Sequence, residues 1–150
     1  MNSAVLSPDG HTVAFTSPVA GFDQVFIMLA SGIMLASGGD RLQLTNDSVD
    51  KFVEAVSPDG TQIYYSNDFS GEESFSVPTL GGASTFVASG YGLAISPDGN
   101  SFYFIKSRRD NAVFRKPKVG LSEEMIFKSA EGSKNFGSHV GEPGNRDGVQ

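Results

Sequence analysis

The sequence has no cysteine, no tryptophan and only two histidines. Without cysteine there is no disulfide framework, no thiolate metal site and no cysteine nucleophile, and the redox compartment leaves no mark on the chain. Charged residues make up 19% of it, less than the roughly 25% of an average globular domain. The longest apolar run, Val25 to Ala30, falls far short of the ~20 residues that span a bilayer. Met1 is not followed by a basic segment and an apolar stretch, so no signal peptide is expected. Membrane insertion is not expected either. The compartment reads as cytoplasmic by default, or periplasmic if the chain follows a membrane span in a longer parent.

What the sequence does hold is a core and many turns. Its 150 residues allow one ordinary domain. Thirty-nine per cent are hydrophobic, with 12 Phe and 4 Tyr to fill an interior, and 18 Gly and 7 Pro point to tight turns. Charge is uneven: residues 1–100 carry −9 and residues 101–150 carry +3, for a net −6. An acidic chain is a poor nucleic-acid ligand, because phosphate neutralisation drives that affinity. The basic stretch Lys106, Arg108, Arg109, Arg115, Lys116 and Lys118 reads as solvated surface or a charged sheet edge.

A repeat decides the architecture. Ser-Pro-Asp-Gly occurs at Ser7–Gly10, Ser57–Gly60 and Ser96–Gly99, each after a short apolar segment. Six residues after each Ser stands Val13, Ile63 or Phe102, and eight after it Phe15, Tyr65 or Phe104. Eighteen after it the three copies align Val25, Phe75 and Phe114. The copies are spaced by 50 and 39 residues. The longer spacing is inflated by a perfect duplication, Ile27–Gly32 and Ile33–Gly38 both reading IMLASG; with one copy removed it is 44, and Leu42 aligns with Phe86 and Met125. Ile27–Leu29 is expected to complete a strand, because it continues directly from Gln24-Val25-Phe26, leaving the second copy to extend the hairpin or bulge.

Each unit reads as four short strands rich in Val, Ile, Phe, Tyr and Thr and bounded by Gly, Pro, Asn and Asp. They fall near 4–6, 12–17, 24–29 and 41–45; near 53–56, 61–66, 74–78 and 84–88; and near 92–95, 101–106, 112–117 and 124–128. Pro presets the turn, Asp bonds local backbone and Gly accepts a left-handed conformation, so Ser-Pro-Asp-Gly joins the first two strands. Asp9, Asp59 and Asp98 are therefore structural. Ile63-Tyr64-Tyr65 and Phe102-Tyr103-Phe104-Ile105 are apolar on both faces, as in a sheet stacked between two others.

Four-stranded units of ~40–45 residues are the signature of a β-propeller. The expected fold is all-β: three four-stranded antiparallel blades in 1–129 (about 4–51, 52–90 and 91–129), followed by a flexible Gly-rich tail at 130–150. The wording apolar-Ser-Pro-Asp-Gly-x-x-aromatic, from Ala4 to about Lys128, resembles the WD40-like repeat of the TolB type. The Trp-Asp ending of true WD repeats is absent. The stretches AVSPDGTQIYYSNDFSG (55–71) and SPDGNSFYFIKSRRDNAVFRKP (96–117) look like propeller regions attached to bacterial, acidobacterial-type serine/threonine kinases. The resemblance implies a six-bladed ring, of which this chain would form about half, and a sensory or binding role in a larger bacterial protein. An alternative is a gating propeller of a prolyl-oligopeptidase-type peptidase, and another is an engineered or degenerate half-ring.

Neither parent activity has its residues here. Gly90-Tyr91-Gly92 lacks the third Gly of a kinase loop, Ile95 standing in its place, and Arg108-Arg109-Asp110-Asn111 lacks the companions of a catalytic loop. No Gly-x-Ser-x-Gly elbow occurs. His11 and His139 are unrelated in sequence and have no third ligand or paired base. No catalysis, no cofactor and no metal are expected.

Binding is the remaining class. In a propeller, the connections between strands two and three, and from strand four to the next unit, share one end. Here they gather Phe22, Asp23, Asp47, Asp50, Asp68, Phe69, Glu72 and Glu73, together with Arg108, Arg109 and Asp110. An acidic rim with aromatic anchors suits a protein or peptide ligand. Three blades also leave two apolar end faces, expected to carry Tyr64, Phe102 and Phe104. A homodimer, or the remaining blades of a parent, would cover them.

Overall fold

The computed structural model describes residues 2–33, 39–67, 72–107, 109 and 111–130. Among the described residues, twelve strands form three separate four-stranded antiparallel sheets, each in sequence order. The first holds β1 (Ala4–Leu6), β2 (Thr12–Val19), β3 (Phe22–Leu29) and β4 (Leu42–Gln43). In the second are β5 (Lys51–Val56), β6 (Gln62–Asn67), β7 (Glu73–Pro78) and β8 (Thr85–Ser89). The third comprises β9 (Tyr91–Ile95), β10 (Ser101–Ile105), β11 (Ala112–Pro117) and β12 (Glu124–Lys128). The sheets stack as blades, with β1, β5 and β9 in neighbouring contact.

Each blade starts from the same turn, and the structure shows why it needs that tetrapeptide. The Gly10, Gly60 and Gly99 amides donate to the carbonyls of Ser7, Ser57 and Ser96 at 2.9, 2.9 and 2.8 Å. Their φ angles of 78, 76 and 76° lie where L side chains are strained. Each Ser hydroxyl donates to the Asp carboxylate two residues on, at 2.6, 2.7 and 2.6 Å. It also accepts the amide of Thr12, Gln62 or Ser101 at 3.0 Å. The Asp in turn accepts the amide two residues further on. These bonds pull the three carboxyls below their ordinary range, Asp59 to about 2 through Ser57 and Thr61.

Stacked aromatic pairs repeat from blade to blade: Phe15–Phe26, Tyr65–Phe75 and Phe104–Phe114, with centroids 5.6, 5.7 and 6.1 Å apart. This corrects the alignment of Val25 with Phe75 and Phe114, because Phe26 holds that place. The reason is hairpin length. β2 and β3 stay paired to Val19↔Phe22, leaving a two-residue turn in which Ala20 and Gly21 both have positive φ, 52 and 91°. That primed geometry matches the strand twist. It makes the first hairpin one residue longer than the others, so Gln43 rather than Leu42 takes the place of Phe86 and Met125.

Two cores lie between the blades. Ala14, Val25, Ile27 and Leu44 of the first pack on Val53, Val56, Ile63, Tyr65 and Val77 of the second. On the far side of the second blade, Tyr64, Val87 and Ala88 meet Leu93, Phe102 and Phe104 of the third. Tyr64, Phe102 and Phe104, expected on the open end faces, are thus 2, 4 and 1% exposed inside the second core. Strand alternation then places Leu6, Val13, Phe15 and Phe26 on the outer face of the first blade. Tyr103, Ile105 and Val113 line that of the third. Arg41 covers the Phe26 ring at 5.8 Å. Ile27–Leu29 completes β3, as expected, and Ile33 is exposed. Met34 and Leu35 lie outside the described residues, as does 131–150 of the tail.

Candidate functional site

The loop end of the first two blades is organised by the buried side chains of Gln24, Thr45 and Lys51. Gln24 is fully buried. Its Nε2 donates to the Asp47 carbonyl at 2.8 Å, and its Oε1 accepts from Thr45 Oγ1 at 2.8 Å and the Asp47 amide at 3.2 Å. Asp47 caps its own loop by accepting the Val49 amide at 3.0 Å. Lys51, 2% exposed, opens β5 with its ammonium 2.5 Å from Asp47 Oδ1 and 2.8 Å from the Val49 carbonyl. The same ammonium stands 5.8 Å from the Tyr65 ring centroid. A buried ammonium needs such partners, and here they tie the connection between blades to the second blade.

Beside this network a cleft of about 330 Å³ opens between the two blades. Thr45, Asn46 and Asp47 form one wall, and Tyr65, Asn67 and Ser84 the other. The Tyr65 hydroxyl donates to Ser84 Oγ at 2.8 Å. Asn67 Oδ1 is buried and has no hydrogen-bond partner among the described residues. Native structures rarely leave such an acceptor unmade.

The expected rim residues separate into distinct roles. Asp23 is 6% exposed inside β3, not in a loop, and its amide donates to Asp50 Oδ1 at 2.7 Å. Phe22, expected as an exposed anchor, is half-buried at the start of β3. The long hairpin explains both corrections, because it carries the strands past the expected loop. Asp47 keeps a half-exposed side chain, at 56%, on the cleft. Glu72, with a φ of 52°, and Glu73 are half-buried where β7 begins. Arg109 is exposed, its amide held by Ser107 Oγ at 3.1 Å. Asp68, Phe69, Arg108 and Asp110 lie outside the described residues. Gln24, Lys51, Glu54 and Asn67 were not among the expected residues. Their only sequence signal is a polar or charged residue set within an apolar strand.

His11 is on the first turn, 82% exposed and 3.5 Å from Asp9. Among the described residues no three His, Asp or Glu side chains are grouped to hold a metal ion. No helix among them is long and apolar enough to cross a membrane.

Stacked four-stranded antiparallel blades, open at both ends, define a partial β-propeller. Its fold is of the TolB type. It superposes on a TolB from Agrobacterium tumefaciens with a TM-score of 0.65 and 20% identity, covering 82% of this chain and 47% of that one. For TolB from Acinetobacter baumannii the TM-score is 0.60 at 20% identity, covering 86% and 32%. A prolyl endopeptidase gives 0.58 at 19% identity, covering 87% and 22%. The chain thus spans less than half the length of either TolB structure. No family model matches the sequence, and no curated protein matches it significantly.

Proposed function

We propose that the chain is a non-catalytic propeller module that binds a protein or peptide segment in the cleft between its first two blades. The observation that carries this reading is Asn67, a residue lining that cleft whose Oδ1 has no hydrogen-bond partner among the described residues. A backbone or side-chain N–H of a bound segment would satisfy it, and Asp47 offers a carboxylate on the opposite wall. The sequence resemblance to kinase-attached propellers supports a sensory role in a larger protein. Other blades cover the two apolar end faces; in a purified sample a second copy of the chain would supply them, to make a ring of six.

The test is a displayed peptide library selected on the wild-type chain, with the selected peptides titrated against Asn67→Ala and Asp47→Asn. Loss of about tenfold in affinity with Asn67→Ala, at unchanged circular dichroism, supports the site. Peptides that bind both variants as tightly as wild type would overturn it, and so would a selection that yields no binder. The likeness to a prolyl endopeptidase favours a second reading, in which these blades gate a peptidase whose catalytic residues lie in another domain. A catalytic domain in the same polypeptide or complex would decide for it.

A further inference from the structure

We propose that a second site, at the inner edge of the stack around Glu54, binds a cationic group: the ammonium of a lysine or the guanidinium of an arginine in a peptide. The pocket has a volume of about 470 Å³ and is lined by Ser3 and the first strands of all three blades, including Phe52, Glu54 and Leu93. It shares no residue with the cleft at Asn67, so the two sites can fail separately.

Glu54 is half-buried in β5. Its Oε1 accepts the Leu93 amide of the third blade, and its Oε2 accepts Ser66 Oγ at 2.9 Å. Both donors are neutral, and among the described residues no lysine, arginine or histidine pairs with it. Burial raises its carboxyl above the ordinary range in spite of those bonds. A carboxylate taken from water without a counter-charge is costly.

The repeat itself supplies a control for the bland explanation, a latch between blades. At the preceding junction Ser3 does that work: its Oγ accepts the Val53 amide at 2.9 Å and lies 3.2 Å from Thr16 Oγ1. Thr16 and Ser66 each stand nine residues after the Ser of their own turn, so the two junctions are equivalent. A hydroxyl latches one blade to the next; the charge of Glu54 exceeds what the latch requires. Beside it Phe52, 38% exposed, presents an aromatic side chain to the same pocket, as a cation site would use.

The experiment titrates the ¹⁵N-labelled chain with N-acetyl-arginine amide, N-acetyl-lysine amide and the neutral N-acetyl-citrulline amide, following the Phe52 and Leu93 amide signals. Saturable shifts with the two cations and none with citrulline are expected. Glu54→Gln, which keeps an acceptor for Leu93, should weaken binding about tenfold or more. Phe52→Ala should weaken it about two- to fivefold. Equal binding of citrulline, undiminished binding by Glu54→Gln, or no saturable shift with either cation would overturn the proposal. Should Glu54→Gln fail to fold, the comparison of arginine with citrulline on the wild-type chain still decides.

Discussion

Gly90 joins the second blade to the third, and replacing it with alanine is the sharpest test of how closely they approach. A Cβ there would lie 2.6 Å from the Ile105 carbonyl oxygen and 2.6 Å from Phe104 Cδ2. Neither neighbour can yield easily. Ile105 belongs to the β10 backbone, and Phe104 is 1% exposed in the core between blades. Relief must shift Gly90 or β10, and Ser74 Oγ, 2.7 Å from the Gly90 carbonyl, is then left without its acceptor. Overpacking of this kind costs about 1–3 kcal/mol, and the lost bond adds about 1 kcal/mol. A gain of about 0.5 kcal/mol from the stiffer unfolded chain offsets part of this. The net is about 2.5 kcal/mol. With a urea m-value of about 1.5 kcal/mol/M, the unfolding midpoint should fall by about 2 M. Urea titration followed by tyrosine fluorescence or circular dichroism measures it. Gly60→Ala is the control: its Cβ meets nothing within 4 Å, so what remains is the left-handed strain of about 1–2 kcal/mol less the same offset of about 0.5 kcal/mol. A Gly90→Ala midpoint no lower than that of Gly60→Ala would refute the close approach.

Three further outcomes are expected. Ala20→Asn, exposed at the first position of the primed turn, should raise stability by about 0.5–1 kcal/mol in the same titration, because Asn tolerates positive φ. Asp9, Asp59 and Asp98 have lowered folded-state pKa values, so their contribution is complete above about pH 4 and lost as pH falls toward 2. Thermal midpoints should drop over that window, less steeply for Asp59→Asn. Glu54 has a raised folded pKa, so its ionisation costs stability as pH rises above its unfolded value. Glu54→Gln should therefore melt higher than wild type at pH 7.5, with the advantage vanishing near pH 4.

Local chemistry was legible in the sequence. The Ser-Pro-Asp-Gly turns carry their own hydrogen bonds, and the strands they separate are bounded by residues that stop strands. The third blade falls almost where its pattern places it, and Ile27–Leu29 enters β3 because it continues an unbroken apolar run. What depends on one blade meeting another was not legible. Tyr64, Phe102 and Phe104 are apolar in either arrangement, and only stacking decides that they face inward. The one-residue shift that puts Phe26 in place of Val25 follows from hairpin closure at Ala20-Gly21, which a fixed spacing conceals. In the candidate site, Asp47 was legible as a loop carboxylate. Lys51 bonds Asp47 and Val49 close by in sequence, but its burial beside the Tyr65 ring and its place across the strand pair from Asn67 are set only by the fold. Asp23 and Asp50 look like rim charges in sequence, yet they serve the join between blades.

On the proposed function, these repeats are consecutive blades of a ring whose two apolar end faces are covered by other blades. Light scattering after gel filtration of the purified 15.9 kDa chain tests it most directly. One homogeneous species at about twice that mass is expected, two half-rings closing on a two-fold axis. A folded, monodisperse monomer that stays monomeric as concentration rises would contradict it.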